Sequence, residues 1–329
     1  MQVTAGNFCR TAKPGKIGQT GYRLSLIIPA WNEEATIRQA FAEADAALSS
    51  IGADYEIIIV DDGSADNTQE VLSKYAEKLQ ILHQANQGPE VARNLGIQHA
   101  KGEYIVSFDS DDILYPHALR VYYETIQYFK NPPLILSRMQ YFSANGEKSR
   151  LDWDGKRIEC TESENFFKKK LSIGVSNSNI IARRDSLLKV GGYQLNTFIV
   201  DDRALLFRLG MESPMITITY PITVGHRSHP NNSSKNAGLV TKGTLALIAY
   251  ERKNVYPGGN QMRFDRRGLV GSYLFNTFRR YLGIKSIKQI AIIILKARTM
   301  LITGIVRKLL SFRYYSKSHL IEIKNEAAR

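Results

Sequence analysis

Cysteine is almost missing from this chain, with two residues, Cys9 and Cys160, in 329. Two thiols cannot frame a disulfide-stapled fold, and no C-x-x-C pair offers a zinc site. They read as reduced thiols in a cytosolic protein. Acidic residues are scarce at one end. From Leu239 to Arg329 there are 18 Lys and Arg against 4 Asp and Glu, so the whole excess of the +13 net charge lies there and residues 1–238 are close to neutral. A basic segment beside a neutral body suits a polyanion, either nucleic acid or an anionic membrane. The first twenty residues hold no apolar run of the kind a secretory signal needs. Export is therefore not expected, and the patterns Asn231-Asn232-Ser233 and Asn232-Ser233-Ser234 carry no meaning as glycosylation acceptors. No G-x-G-x-x-G follows the first apolar run, which argues against a dinucleotide oxidoreductase. There is no internal repeat and no low-complexity tract. What remains, 43% hydrophobic and 23% charged, is the composition of a folded protein.

Short apolar runs alternate with helical patterns over residues 23–128. Strands are expected at 24–29, 55–60, 80–83 and 102–108, and helices at 33–48, 66–79 and 89–100, with Asp66 as an N-cap. This βαβαβαβ order predicts an α/β fold with a mainly parallel sheet and helices on both faces. Ligands bind such sheets beyond the carboxyl ends of the strands. Asp61 and Asp62 lie there after the second strand, and Asp109, Asp111 and Asp112 after the fourth. Carboxylates gathered on one edge repel one another unless a cation sits among them, and a hard divalent ion with oxygen ligands is the simplest such cation.

Each motif has two readings at this level. Asp109-Ser110-Asp111 is an acidic turn, or an Asp-x-Asp pair that presents two carboxylates on one face of an extended segment to a metal diphosphate. Asp61-Asp62-Gly63-Ser64 is a turn, or a carboxylate for the imide N–H of a uracil-like base. Arg93 is a surface residue, or a guanidinium reaching base or phosphates. Asp201-Asp202 is an acidic helix start, or a general base. His229 is a solvated loop histidine, or a neutral imidazole that completes a metal site.

Taken together, Asp61 to Thr68, Asn86-Gln87-Gly88, Ala92 to Gly96, Ala100 to Tyr104 and Phe108 to Asp112 resemble the ordered blocks of glycosyltransferase family 2, over about residues 23–235. The resemblance implies a Rossmann-like GT-A fold, a nucleotide-sugar donor, Mn²⁺ or Mg²⁺, and inversion at the anomeric carbon. It implies that Pro29 and Asn32 form the first nucleotide-facing loop, Asp62 reads the base, Asp109 meets the ribose, and Asp111 holds the metal. It also implies that Asp202 is the base, that His229 closes over the diphosphate, and that Asn177-Ser178, with Asp201, lies on the acceptor side. Trp31 stands where many members have tyrosine, and Asp201-Asp202 replaces the family's Glu-Asp pair.

The expected organisation is a leader over 1–21, a catalytic domain over 22–238, and a basic helical region over 239–329. Within 285–313, Ile287, Ile290, Ile294, Leu301, Ile305 and Leu309 fall on one helical face, and Lys288, Lys296, Thr299, Thr303 and Arg307 largely on another. Lys296 and Arg298 interrupt the apolar run, so a span of about 20 residues is not expected. Two readings stay open: a basic helix on an anionic leaflet, or a helix packed on the catalytic domain with its lysines in water. The first suits an enzyme on the inner face of the cell membrane serving a glycan or lipid-linked acceptor of surface polysaccharide assembly. The rivals are a nucleic-acid-binding module, which leaves the acidic edge unexplained and for which the tail shows no motif, and an Asp-x-Asp phosphotransferase. In that chemistry the motif belongs after the first strand, with Asp109 as nucleophile.

Overall fold

Leu24–Ala30 (β1) and Tyr55–Asp62 (β2) are runs of Ile, Leu and Val with no polar face, and both are buried along nearly their whole length. Strands apolar on both sides belong in the middle of a helix-covered parallel sheet. In the computed structural model, which describes residues 24–49, 55–143, 153–168, 173–228, 232–283, 287–310 and 316–323, that is where they lie. β1 pairs in parallel with β2 and with Tyr104–Ser107 (β4), and β2 pairs in parallel with Gln80–Gln84 (β3). The crossover helices are Ile37–Ser49 (α1), Thr68–Ser73 (α2) and Pro89–His99 (α3).

Two helices are shorter than the sequence suggests. α1 runs from Ile37, led in by a turn in which the Ile37 N–H donates to Glu33 O (2.9 Å), and the N–H groups of Glu33 and Glu34 are met by Thr68 Oγ1 (2.8 Å) and Asp66 Oδ2 (3.2 Å) across the gap to the next loop. α2 stops at Ser73, whose hydroxyl donates to Glu70 O (2.7 Å) and competes with the helical ladder. The cap position of α2 falls on Asn67, yet Asp66 Oδ1 does accept the Thr68 N–H (3.0 Å).

The second half of the sheet is mixed. It comprises Ile113–Leu114 (β5), Leu134–Ser143 (β6), Arg157–Ser163 (β7), Ile180–Arg183 (β8), Met215–Ser228 (β9) and Lys317–Glu322 (β10). Strand order is β10-β7-β9-β6-β8-β4-β1-β2-β3, with β5 beside β9. β8 runs antiparallel to both β4 and β6, and β6 runs parallel to β9. Ala118–Tyr128 (α4), Arg184–Lys189 (α5) and Asp201–Arg208 (α6) connect these strands.

Three more helices follow: Ala237–Arg252 (α7), Arg263–Gly283 (α8) and Ile287–Leu309 (α9). Leu247, Tyr256, Leu269, Leu274, Ala297 and Met300 share one buried cluster with Ile27, Ile105 and Leu205. The boundary at residue 238 therefore divides charge and not core, and β10 closes one sheet edge against β7. Buried Glu251 joins α7 to α8 through Arg266 Nε (2.7 Å). α9 buries one narrow stripe of Ile293, Ala297, Met300, Gly304 and Arg307. Arg307, expected on the solvated basic face, is instead buried and donates to Phe167 O (3.1 Å). The expected leader, 1–21, lies outside the described residues.

Candidate active site

The turn after β1 and the turn after β2 are stitched together. The Asn32 N–H donates to Ser64 Oγ (2.9 Å), and Asn32 Oδ1 accepts the Ala65 N–H (2.9 Å). Pro29 sits in the strand itself, opposite Val60, and Trp31 stands exposed beside Asn32. Asp61 is fully buried and accepts from Ser64 N–H (3.1 Å) and Gln69 Nε2 (2.7 Å).

Asp62 is turned onto the loop that leads into α3. Its oxygens accept Gln84 Nε2 (2.7 Å), the Gln87 N–H (2.9 Å) and the Gly88 N–H (2.8 Å). Three of about four lone-pair directions are thus taken by the chain's own donors. Gly63, at φ +71°, lies so close to this loop that a Cβ would come 2.6 Å from Asn86 N. Here the motif's glycine is required twice over, by dihedral and by space. Asp62→Ala is expected to lower stability by about 1–3 kcal/mol, because two backbone N–H groups lose their acceptor. A melting curve checks this; an unchanged melting temperature would leave Asp62 no part in holding the loop.

Beyond β4 the chain does not stay extended. Asp112 N–H donates to Asp109 O (3.1 Å), which makes residues 109–112 a tight turn into β5. Asp109 and Asp111 remain partly open on this turn, while Asp112 is buried beneath it. Asp112 accepts Ser178 Oγ (2.6 Å) and the Arg227 N–H (3.2 Å), and its Oδ1 lies 2.9 Å from His226 Nδ1. Burial pushes the Asp112 carboxyl up to about 6 against the pull of His226. Burial lowers His226, but the bond and charge of Asp112 outweigh it and hold the ring at about 9.

Arg93 on α3 does not reach outward. It is 5% exposed, and its two terminal nitrogens bind Asp109 Oδ1 (2.6 Å) and Asp201 Oδ2. Expected to reach base or phosphates, it turns both ends of its fork onto these two carboxylates instead. Its guanidinium lies 5.4 Å from the centroid of the Tyr193 ring. Asn94 fixes that tyrosine, accepting the Tyr193 N–H (2.7 Å) and donating to its carbonyl (2.9 Å). Gly192 makes room for this clamp, since a Cβ there would come 2.2 Å from Asn94 Oδ1.

Asp201 and Asp202 open α6, and each is 5% exposed. Asp201 takes Arg93 and, at 3.3 Å, Asn177 Nδ2. Asp202 takes Arg203 Nη1 on both oxygens (3.0 and 2.9 Å), and Arg203 stacks on Tyr273 of α8 at 4.6 Å. Burial raises both carboxyls, Asp201 to about 7, with Arg93 opposing the rise at Asp201 and Arg203 at Asp202. Asn177, Ser178 and Asp201 were expected on the acceptor side. The structure places them under the site. Ser178, wholly buried, accepts the Asp109 N–H (3.0 Å) and donates to Asp112 Oδ2 (2.6 Å), so its one hydroxyl proton is already engaged. Asn177 keeps a buried Oδ1 with no partner among the described residues.

The acidic edge, for which a divalent ion was the simplest expected counter-charge, also has cations of the chain's own. Arg93, Arg203 and His226 already stand among these carboxylates. Among the described residues no three His, Cys, Asp or Glu side chains gather as a closed metal cage, and His229 lies outside those residues. An open site fits better: Mg²⁺ and Mn²⁺ suit one or two carboxylates, with phosphate and water completing the shell. Partly exposed Asp111, beside Asp109 on the same turn, is such a hard oxygen donor set.

The family profile described as Glycosyl transferase family 2 matches residues 25–191. A cholesterol galactosyltransferase of Borreliella burgdorferi is 26% identical over 245 residues, covering 70% of this chain and 67% of that protein. The S. aureus TarS fragment 1–349, in complex with UDP-GlcNAc, superimposes with a TM-score of 0.56 at 15% identity, over 79% of this chain and 73% of that one. The mannosyltransferase PcManGT of Pyrobaculum calidifontis, in complex with GDP-Man and Mn²⁺, gives 0.51 at 14% identity, over 88% of each chain. At these identities the structures share the fold. The chain spans about a fifth of the length of the uncharacterised Rickettsia glycosyltransferases that it matches.

Proposed function

Because the chain belongs to glycosyl transferase family 2, we propose that it is a metal-dependent, inverting enzyme that moves a sugar from a nucleoside diphosphate, a UDP-sugar, to an acceptor hydroxyl. The acceptor is a glycan or a lipid-linked saccharide of surface polysaccharide assembly, met at the inner face of the cell membrane; nucleic acid has no part in the reaction. One observation carries the reading: a buried carboxylate oriented by its own arginine, Asp202 with Arg203, opens a helix in the same charged network as the open Asp109–Asp111 turn.

Asp202 takes the proton of the acceptor hydroxyl. The acceptor oxygen then bonds the anomeric carbon on the side opposite the diphosphate, the bond from that carbon to the diphosphate oxygen breaks, and the nucleoside diphosphate departs with the electron pair. A cation held by Asp111, with His229 as a further ligand, would neutralise charge on that leaving group. Asp109 meets the ribose while Arg93 fixes its direction from behind. The stitched turns at Asn32 and Ser64 and the loop held by Asp62 shape the walls of the base pocket. Tyr141, exposed and edge-on to His226 at 5.2 Å, offers an acceptor sugar a flat apolar surface.

Calorimetry with UDP tests the donor site. Heat is expected with Mn²⁺ or Mg²⁺ present, is lost on chelation, and weakens at least tenfold in Asp111→Asn, as loss of a direct ligand demands. Heat that is indifferent to chelation sinks the metal dependence. No heat with any nucleoside diphosphate, on folded protein, sinks the whole reading.

A further inference from the structure

We infer that the outward face of α9 is a docking surface for an anionic lipid bilayer, on which the helix lies in the plane of the membrane. At about 100° per residue, Ile287, Ile294, Leu295, Ile302, Ile305 and Leu309 fall within one arc of about 100°. All are exposed, Leu309 at 74% and Leu295 at 77%. Large apolar side chains gathered on one open face mark an interaction surface. The stripe that α9 buries lies on the other side of the helix, so packing on α8 leaves this face uncovered.

Charge identifies the occupant. Lys288 flanks the arc on one side and Lys308 on the other, Arg298 lies within it, Lys296 stands further round the helix beyond Lys288, and all four are exposed. No acidic residue occurs in α9, and the segment from Leu239 onward carries 18 basic groups against 4 acidic ones. An apolar face rimmed by cations matches a leaflet with anionic headgroups, into which lysine stems can lie while the ammonium groups stay at the surface. A second copy of the same face would bring these cations together.

The helix is long enough to span. Twenty-three residues at about 1.5 Å each reach about 35 Å. Its packing opposes that. A Cβ on Gly271 of α8 would come 2.0 Å from Met300 O, so the two backbones touch. Arg252 donates to Lys296 O and Arg307 to Phe167 O. Inserting α9 across a bilayer would tear these contacts out of the core and carry Arg307 into hydrocarbon. Lying in plane costs none of them. Tyr273 of α8 touches Arg203, so the docked surface is one helix removed from Asp202.

The inference uses nothing of the donor site, so it can fail alone. Full-length protein is floated with vesicles of phosphatidylcholine and with vesicles of phosphatidylcholine mixed with phosphatidylglycerol. Recovery with the anionic vesicles is expected to be at least about tenfold greater, because each basic group near the surface is drawn to anionic headgroups. Leu295→Glu/Ile302→Glu/Leu309→Glu is expected to abolish flotation, with melting and UDP-dependent heat unchanged because these side chains touch no core. Lys288→Gln/Lys296→Gln/Lys308→Gln is expected to erase the preference for anionic lipid. Equal recovery of the glutamate variant overturns the proposal. So does equal recovery on neutral vesicles, or a wild-type dimer in solution that does not float and that the glutamates split into monomers.

Discussion

Asp202→Asn is expected to stop sugar transfer, lowering kcat by about 10²–10⁴, while UDP binds as it does to the wild type. The asparagine keeps the shape and can still face Arg203, but it cannot take a proton. The pH profile should carry the same signature. Burial holds Asp202 above the usual carboxylate range, with Arg203 opposing the rise. The ionised form is the active one, so kcat should climb with pH through a limb that lies above the ordinary aspartate range. Arg203→Gln removes the opposing charge and should move that limb further up, with activity recovered in part at higher pH. A merely structural arginine would lower activity at every pH alike. Turnover within a few-fold of wild type in Asp202→Asn would pass the role to another group, and Asp201 is poorly placed for it because Arg93 and Asn177 hold its Oδ2.

The sheet was legible where one residue's neighbours in sequence are also its environment. Leu24–Ala30 and Tyr55–Asp62 are apolar on both faces, and such runs have few other homes. The carboxyl edge followed from the strands, and with it the place of Asp62, Asp109 and Asp111. What stayed hidden was pairing across long separations. Arg93 and Asp201 are 108 residues apart, and nothing local says that the helix after β3 carries the counter-charge for the helix before β9. A divalent ion was therefore the simplest counter-charge that the sequence offered. Asp112 was grouped with its neighbours because spacing does not reveal that residues 109–112 turn. Arg203 had a signal, a basic residue directly after the two acids, but a helix start explains that equally well. In α9 the run Ile292–Leu295 is apolar on every side, so periodicity cannot say which face meets the core; packing chose the one with Gly304, where two backbones can touch, and left the larger side chains outside.

Arg93→Met is the second large expectation, and it concerns stability before catalysis. Arg93 stands between Asp109 and Asp201, nearly sealed from water, so its removal strands two carboxylates. Loss of one partner from a buried ion network costs about 3–5 kcal/mol, chiefly because the remaining charge has no solvent to turn to. A fall of several degrees in melting temperature should follow. The deficit should also depend on pH. Burial, with Asp202 and Asp109 close by, already holds the Asp201 carboxyl at about 7. A carboxyl raised in the folded state favours folding at low pH, and that contribution fades as pH rises from its unfolded value through the folded one. Without the guanidinium the folded value climbs further, so the variant should lie closest to wild type near pH 5 and furthest from it near pH 8. Asp201→Asn added to Arg93→Met should restore part of the loss at pH 8 and little at pH 5, because it removes a charge that the acid-side protein has already neutralised. A deficit independent of pH, unrelieved by the second substitution, would mean that Arg93 acts through packing against Tyr193 and not through its charge.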